Sequence, residues 1–115
     1  MSEPKIKLIA MGLDKNQDLQ QDHFGQSCYF EIYDYSGNPI ELRKNPFYER
    51  HQHANAKEIQ QVLPDCQIWV GTAMGDRSRK YLESAGIVTF QIPTEQSNLS
   101  HKKIIQFVRE SINEY

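Results

Sequence analysis

The hydrophobic period of this chain changes once, near residue 50, and that change limits the folds open to it. Before it, apolar residues alternate as in strands; after it, they recur at helical spacing between short apolar runs. Residues 5–10 (KIKLIA) carry an apolar stripe at Ile6, Leu8 and Ala10, with Ile9 on the opposite face. A polar stretch at 14–22 is too hydrophilic for core and predicts a loop. Residues 28–35 alternate Cys28, Phe30 and Ile32 against Tyr29, Glu31 and Tyr33. Ser36-Gly37-Asn38-Pro39 then predicts a turn that closes a hairpin onto residues 40–44, where Ile40 and Leu42 face away from Glu41 and Arg43. Asn45-Pro46 ends that strand, because proline has no N–H to donate and restricts the residue before it.

In the second half, Ala56, Ile59, Val62 and Leu63 share one helical face, and Pro64 stops the helix. Residues 67–70 (QIWV) have the length of a buried strand, closed by Gly71. Asp76 is placed to cap a helix carrying Tyr81, Leu82 and Ala85, with Gly86 as its terminal glycine. Residues 87–90 (IVTF) form a further short strand. Ser97 or Ser100 caps a last helix whose apolar face is Ile104, Ile105, Val108 and Ile112.

The order β-β-β-α-β-α-β-α demands a parallel pair with a right-handed crossover in its second half and an antiparallel hairpin in its first. The expected fold is therefore α/β, a mixed five-stranded sheet with three helices on its faces, in a single domain over 1–115. Its core is expected from Ile6, Leu8, Phe30, Ile32, Ile59, Val62, Ile68, Val70, Leu82, Val88, Ile105 and Val108. A chain of 115 residues needs no metal staple to hold such a core.

Charge and cysteine usage narrow the partners. A formal net charge of -2 gives no basic surface for nucleic acid or an anionic membrane. No apolar run approaches the ~20 residues of a spanning helix, and no leader precedes the first strand, so the cytoplasm is the expected location. Cys28 and Cys66 lie far apart, which argues against a disulfide scaffold and against a four-cysteine metal site.

Four places carry residues with chemistry to offer. Asp22-His23-Phe24-Gly25 ends the polar loop; a neutral imidazole binds metal and the glycine allows close backbone approach, although a lone loop histidine is more often ordinary surface. His51-Gln52-His53 points two imidazoles to one side if extended, a spacing that is also a common accident of loops. Gly71-Thr72-Ala73-Met74-Gly75 lies between a buried strand and a helix, where ligands of open sheets bind, but it lacks the lysine of a phosphate loop. Met74 there is either a soft thioether donor or a filler of core space. Cys28 is either a thiolate ligand or a small buried hydrophobe. No hydrolytic constellation emerges, and the first strand has no acid for a two-metal nuclease.

Together these segments resemble a known family. The run DHFGQSCYFEIYD, the later N-P, the H-x-H before a helix, the apolar strand, G-x-x-x-G and a helix ending in A-G-I occur in the order of the dinitrogenase iron–molybdenum cofactor biosynthesis domain, of the NifX and NifB C-terminal type. The resemblance covers Ile6 to Ile112. It implies a three-layer α/β/α ribonuclease H-like fold without enzymatic activity, and a carrier of an iron–sulfur or iron–molybdenum cluster in nitrogen-fixation cofactor assembly. A regulatory or interaction module of the same fold, binding another small anion or a protein, is the alternative. The resemblance places cofactor binding at His23, Phe24, Gly25, His51, His53, Gly71, Met74 and Gly75, with His23, Cys28, His51 and His53 as metal ligands. It implies a monomer or weak dimer whose partners are the cluster and cofactor-assembly proteins. One departure stands out: the family's H-G-H-G-x-G is here His51-Gln52-His53-Ala54-Asn55-Ala56, which removes backbone freedom and bare amides.

Overall fold

A computed structural model of the chain describes residues 8–50, 54–93, 95 and 98–113. Five strands form one sheet in the order β3-β2-β1-β4-β5. They are β1 (Leu8–Leu13), β2 (Tyr29–Tyr33), β3 (Pro39–Lys44), β4 (Cys66–Gly71) and β5 (Val88–Gln91). The hairpin half is antiparallel, β1 with β2 and β2 with β3; the crossover half is parallel, β1 with β4 and β4 with β5. The mixed sheet follows from the sequence order, since a two-to-five-residue turn joins only antiparallel neighbours and a helix is needed to return a parallel one.

The first strand runs on past its apolar stripe, to Leu13. Ile6 lies outside the described residues, and β1 has two buried faces rather than one. Ile9, Met11 and Leu13 enter one core cluster, with Ala10 in the other. Alternation fails there because a central strand in a layered fold is covered on both sides.

Helices α2 (Ala56–Val62) and α3 (Asp76–Ser84) cover one face of the sheet and α4 (His101–Asn113) the other, giving three layers. Asn55 and Glu58 close a capping box at the start of α2, each side chain accepting from the other's backbone N–H. Gly86 takes φ +81° after α3, the left-handed value that a terminal glycine supplies without strain. Asp76, expected as the N-cap of α3, is its first helical residue instead; Gly75 is the N-cap. Ser100 accepts from the Lys103 N–H at the head of α4, whereas Ser97 lies outside the described residues.

Two further differences concern the edges and the proline. Val88, expected in the core, is 47% exposed because β5 is an edge strand. Asn45-Pro46 does more than stop a strand: it opens a short additional helix, α1 (Pro46–Glu49), with Asn45 accepting from the Phe47 N–H and proline at the first helical position. The core is also heavier than expected, with Trp69, Met11, Leu13 and Leu63 all fully buried.

Candidate functional site

Strand order places a topological switch between β1 and β4, since the chain leaves β1 toward β2 and β3 and returns to add β4 on its other side. Ligands of open α/β sheets bind at such a switch, beyond the carboxyl ends of the strands. Two loops meet there. The long connection after β1 contains His23 and a single 3-10 turn at Phe24–Gln26, and residues 72–75 follow β4. His23 and Ala73 form an isolated parallel bridge, with the Phe24 N–H donating to the Ala73 carbonyl at 3.0 Å.

The histidine loop is fixed from both sides. Thr72 Oγ1 donates to the Gln20 carbonyl at 2.7 Å. Asn45, fully buried, donates from Nδ2 to the carbonyls of Gly25 at 3.1 Å and Ser27 at 2.8 Å. Phe24 anchors the loop to the sheet. Its ring stacks on Trp69 at 5.2 Å between centroids and tilts against Phe30 at 5.1 Å. Gly71 is what lets it approach: a Cβ there would sit 3.1 Å from the Phe24 ring, and Gly12 on the neighbouring strand is equally close beneath it. Gly71 thus makes room for an aromatic ring of the protein.

Between this loop and the two helices of the same face lies a cavity of about 300 Å³. His23 and Gly25 border it on one side, Asn55 at the head of α2 on a second, and Met74, Gly75 and Ser78 at the head of α3 on a third. Its floor is apolar, made by Phe24, Trp69, Ile59 and Leu82. His23 is exposed, while Met74 is 8% exposed. Helix α3 begins without a side-chain cap among the described residues. Its first intrahelical bond is Arg79 N–H to the Gly75 carbonyl, so the amides of residues 76–78 have no partner within the helix. The opening of the cavity therefore combines one imidazole, one thioether and a helix N-terminus, over an aromatic floor.

Of the residues singled out in the sequence, His23, Phe24, Gly25, Met74 and Gly75 converge on this cavity. His51 and His53 lie outside the described residues. Cys28 is buried away from the cavity wall, and its thiol raises the pKa of the neighbouring Tyr48. Cys66 is buried too, and burial pushes its thiol up to about 12. Among the described residues no group of three or more histidines, cysteines or carboxylates stands together as a metal site. Trp69, Asn45, Asn55 and Ser78 were not anticipated as parts of the site. Asn45 had a readable signal, a cap residue followed by proline; Trp69 and Ser78 had none, because their positions depend on where β4 and α3 pack.

The sequence profile of the family described as dinitrogenase iron–molybdenum cofactor matches residues 5–105. The chain belongs to that family. Curated protein sequences contain no match to it. Among solved structures, this member of the family is similar to the crystal structure of PH0822, with a TM-score of 0.62 and 16% identity over 90% of this chain and 91% of that one. It is also similar to an NMR structure of a Thermotoga protein provisionally named NifB, with a TM-score of 0.53 and 18% identity over 79% of this chain and 83% of the other. At these identities the likeness is one of fold. Among the described residues of this dinitrogenase cofactor-family chain, no helix is long and apolar enough to cross a membrane.

Proposed function

We propose that this chain is a non-catalytic cytoplasmic carrier that receives an iron–sulfur or iron–molybdenum cluster in the cavity beside His23 and passes it to cofactor-assembly proteins. The observation that carries this reading is the convergence of His23 and Met74 on one cavity, two residues 51 positions apart in a chain of this family. The donor set suits soft metal: imidazole and thioether both bind iron within a cluster, and neither requires a proton to be lost at neutral pH. The unpartnered amides at the head of α3 favour the negative charge that thiolate- or sulfide-rich clusters carry. The aromatic floor limits water around the cargo without adding covalent bonds, so the cargo remains transferable. His51 and His53 are proposed as further ligands on the resemblance alone, whereas Cys28, which the same resemblance names, is buried off the cavity wall.

One observation favours the alternative, a module of the same fold that binds another small anion. No thiolate lines the cavity, and its described residues hold a single imidazole. An anion held by the α3 amides and His23 alone needs no metal donor.

Anaerobic reconstitution with iron and sulfide, followed by the absorption of the bound cluster, separates the two readings. His23→Ala is expected to lower uptake at least tenfold, which corresponds to about 1.4 kcal/mol. Because the side chain is exposed, its melting temperature is expected to stay close to wild type, within about 0.5 kcal/mol of stability. Equal uptake by the variant removes His23 from the site. No uptake by wild type leaves the small-anion reading ahead.

A further inference from the structure

Strand β3 is the outermost strand on its side of the sheet, hydrogen-bonded to β2 on its inner side. Among the described residues nothing pairs with its outer side. An open strand edge is a template for another strand, and most proteins protect theirs with charge, bulges or cover. The register here determines which groups are open. Asn45 N–H donates to the Cys28 carbonyl at 2.9 Å. By strand alternation, the peptide groups of Arg43 and Glu41 point inward to β2, and those of Leu42 and Lys44 point outward.

Side chains on this edge are apolar where a surface strand is ordinarily polar. Ile40 is 53% exposed and Leu42 43%. Leu42 stands opposite Glu31, which stands opposite Met11, so it belongs to the face covered by α4 and lies beyond the reach of that cover. The strand's charge pattern is complementary to itself. If Ile40-Glu41-Leu42-Arg43-Lys44 is laid antiparallel on a second copy about Leu42, the two leucines meet. The Glu41–Arg43 ion pair that each chain already makes, with Arg43 also on Asp65, then lies opposite that of the other copy, with Glu41 across from Arg43. Ile40 then meets the aliphatic stem of Lys44. Opposite charges and apolar pairs directly across an antiparallel ladder each stabilise it, whereas like charges oppose it.

The same strand also limits the contact. Its register against β2 shifts between Ile32 and Tyr33, where Tyr33 pairs with Pro39 and Ile40 becomes the extra residue. A bulge twists the edge and shortens the regular stretch available to a partner. We propose that this protein forms a weak two-fold dimer by antiparallel pairing of β3 with β3 of a second copy, centred on Leu42, which joins the two sheets into one. This pairing is independent of what fills the cavity, since β3 contributes no residue to that wall.

Sedimentation equilibrium from micromolar to millimolar protein is expected to show reversible dimer formation. Leu42→Lys puts two ammonium groups at the two-fold axis beside Lys44 and is expected to weaken the dimer at least tenfold while leaving circular dichroism unchanged. Leu42→Cys gives a second readout. Directly opposed residues in a hydrogen-bonded antiparallel pair have Cα atoms about 5.5 Å apart, within disulfide range. Mild oxidation should therefore cross-link Leu42→Cys rapidly. Glu41→Cys, which faces Arg43 rather than itself, should not cross-link, and wild type should stay uncoupled because Cys28 and Cys66 are both buried. A protein that stays monomeric at millimolar concentration overturns the proposal, as does a dimer that survives Leu42→Lys or equal cross-linking through Glu41→Cys.

Discussion

One face of the sheet is closed by a single helix of 13 residues, the other by helices of 7 and 9 residues and a 3-10 turn. The first face is sealed by apolar packing: Ile104, Ile105 and Val108 of α4 are each 1% exposed or less, against Ile9, Met11 and Val70. The second is held as much by polar ties. Arg43 reaches from β3 to the Val62 carbonyl at the end of α2 and to both oxygens of Asp65. Asn45 and Thr72 fasten the loops between strands. Short elements held by directional bonds leave space that a long amphipathic helix would fill. The cavity bordered by His23 and Met74 lies on the second face for that reason, whereas the first face carries His101 beside Glu31 and a polar hollow of about 280 Å³ along α4.

The two faces should respond differently to truncation. Ile104→Ala is expected to cost about 4 kcal/mol, since the void sits among close-packed side chains that cannot collapse far. Met74→Ala is expected to cost about 2 kcal/mol, because Met74 already borders open space. Chemical denaturation of the two variants checks the order, and a Met74 variant that loses more would place the rigid packing on the cavity face. A smaller effect tests the polar ties. The Arg43 guanidinium beside Asp65 holds that carboxyl below its usual 3.8. A depressed folded pKa means that the stabilisation is present above 3.8 and is lost as pH falls through the lower folded value. The stability gap between wild type and Asp65→Asn should then be present at neutral pH and close below pH 3.8. The gap should be under about 1 kcal/mol, since the Asp65 side chain is 45% exposed and screened by solvent. A gap unaffected by acid would show that the tie acts through shape alone.

Much of the architecture is legible in the residues because period and punctuation are local properties. The hairpin, the helix stops at Pro64 and Gly86 and the apolar face of α4 depend on neighbours in sequence. What depends on packing across the sheet is not legible. β1 is buried on both faces, so its alternation carried no information about which residues face α4. Val88 has the composition of a core residue and lies on an edge. In the candidate site, His23, Phe24 and Gly25 were readable as a motif, and Met74 with Gly75 as a loop after a buried strand. That these two segments meet follows from a parallel pairing of β1 and β4, residues far apart in the chain. The role of Gly71 beneath Phe24 was not readable either, because a glycine that admits a side chain and one that admits a ligand look alike in sequence.

The proposed seat of the metal cluster is the cavity between the histidine loop and the heads of α2 and α3. Trp69, the one tryptophan of the chain, forms part of its floor and reports on it directly. Indole emission is quenched by a metal cluster, most strongly when the cluster lies against the ring. Anaerobic titration of the protein with cluster should quench Trp69 fluorescence in step with cluster absorption and saturate at one cluster per chain. Saturable cluster binding that leaves Trp69 emission unchanged would put the cargo elsewhere and contradict the account.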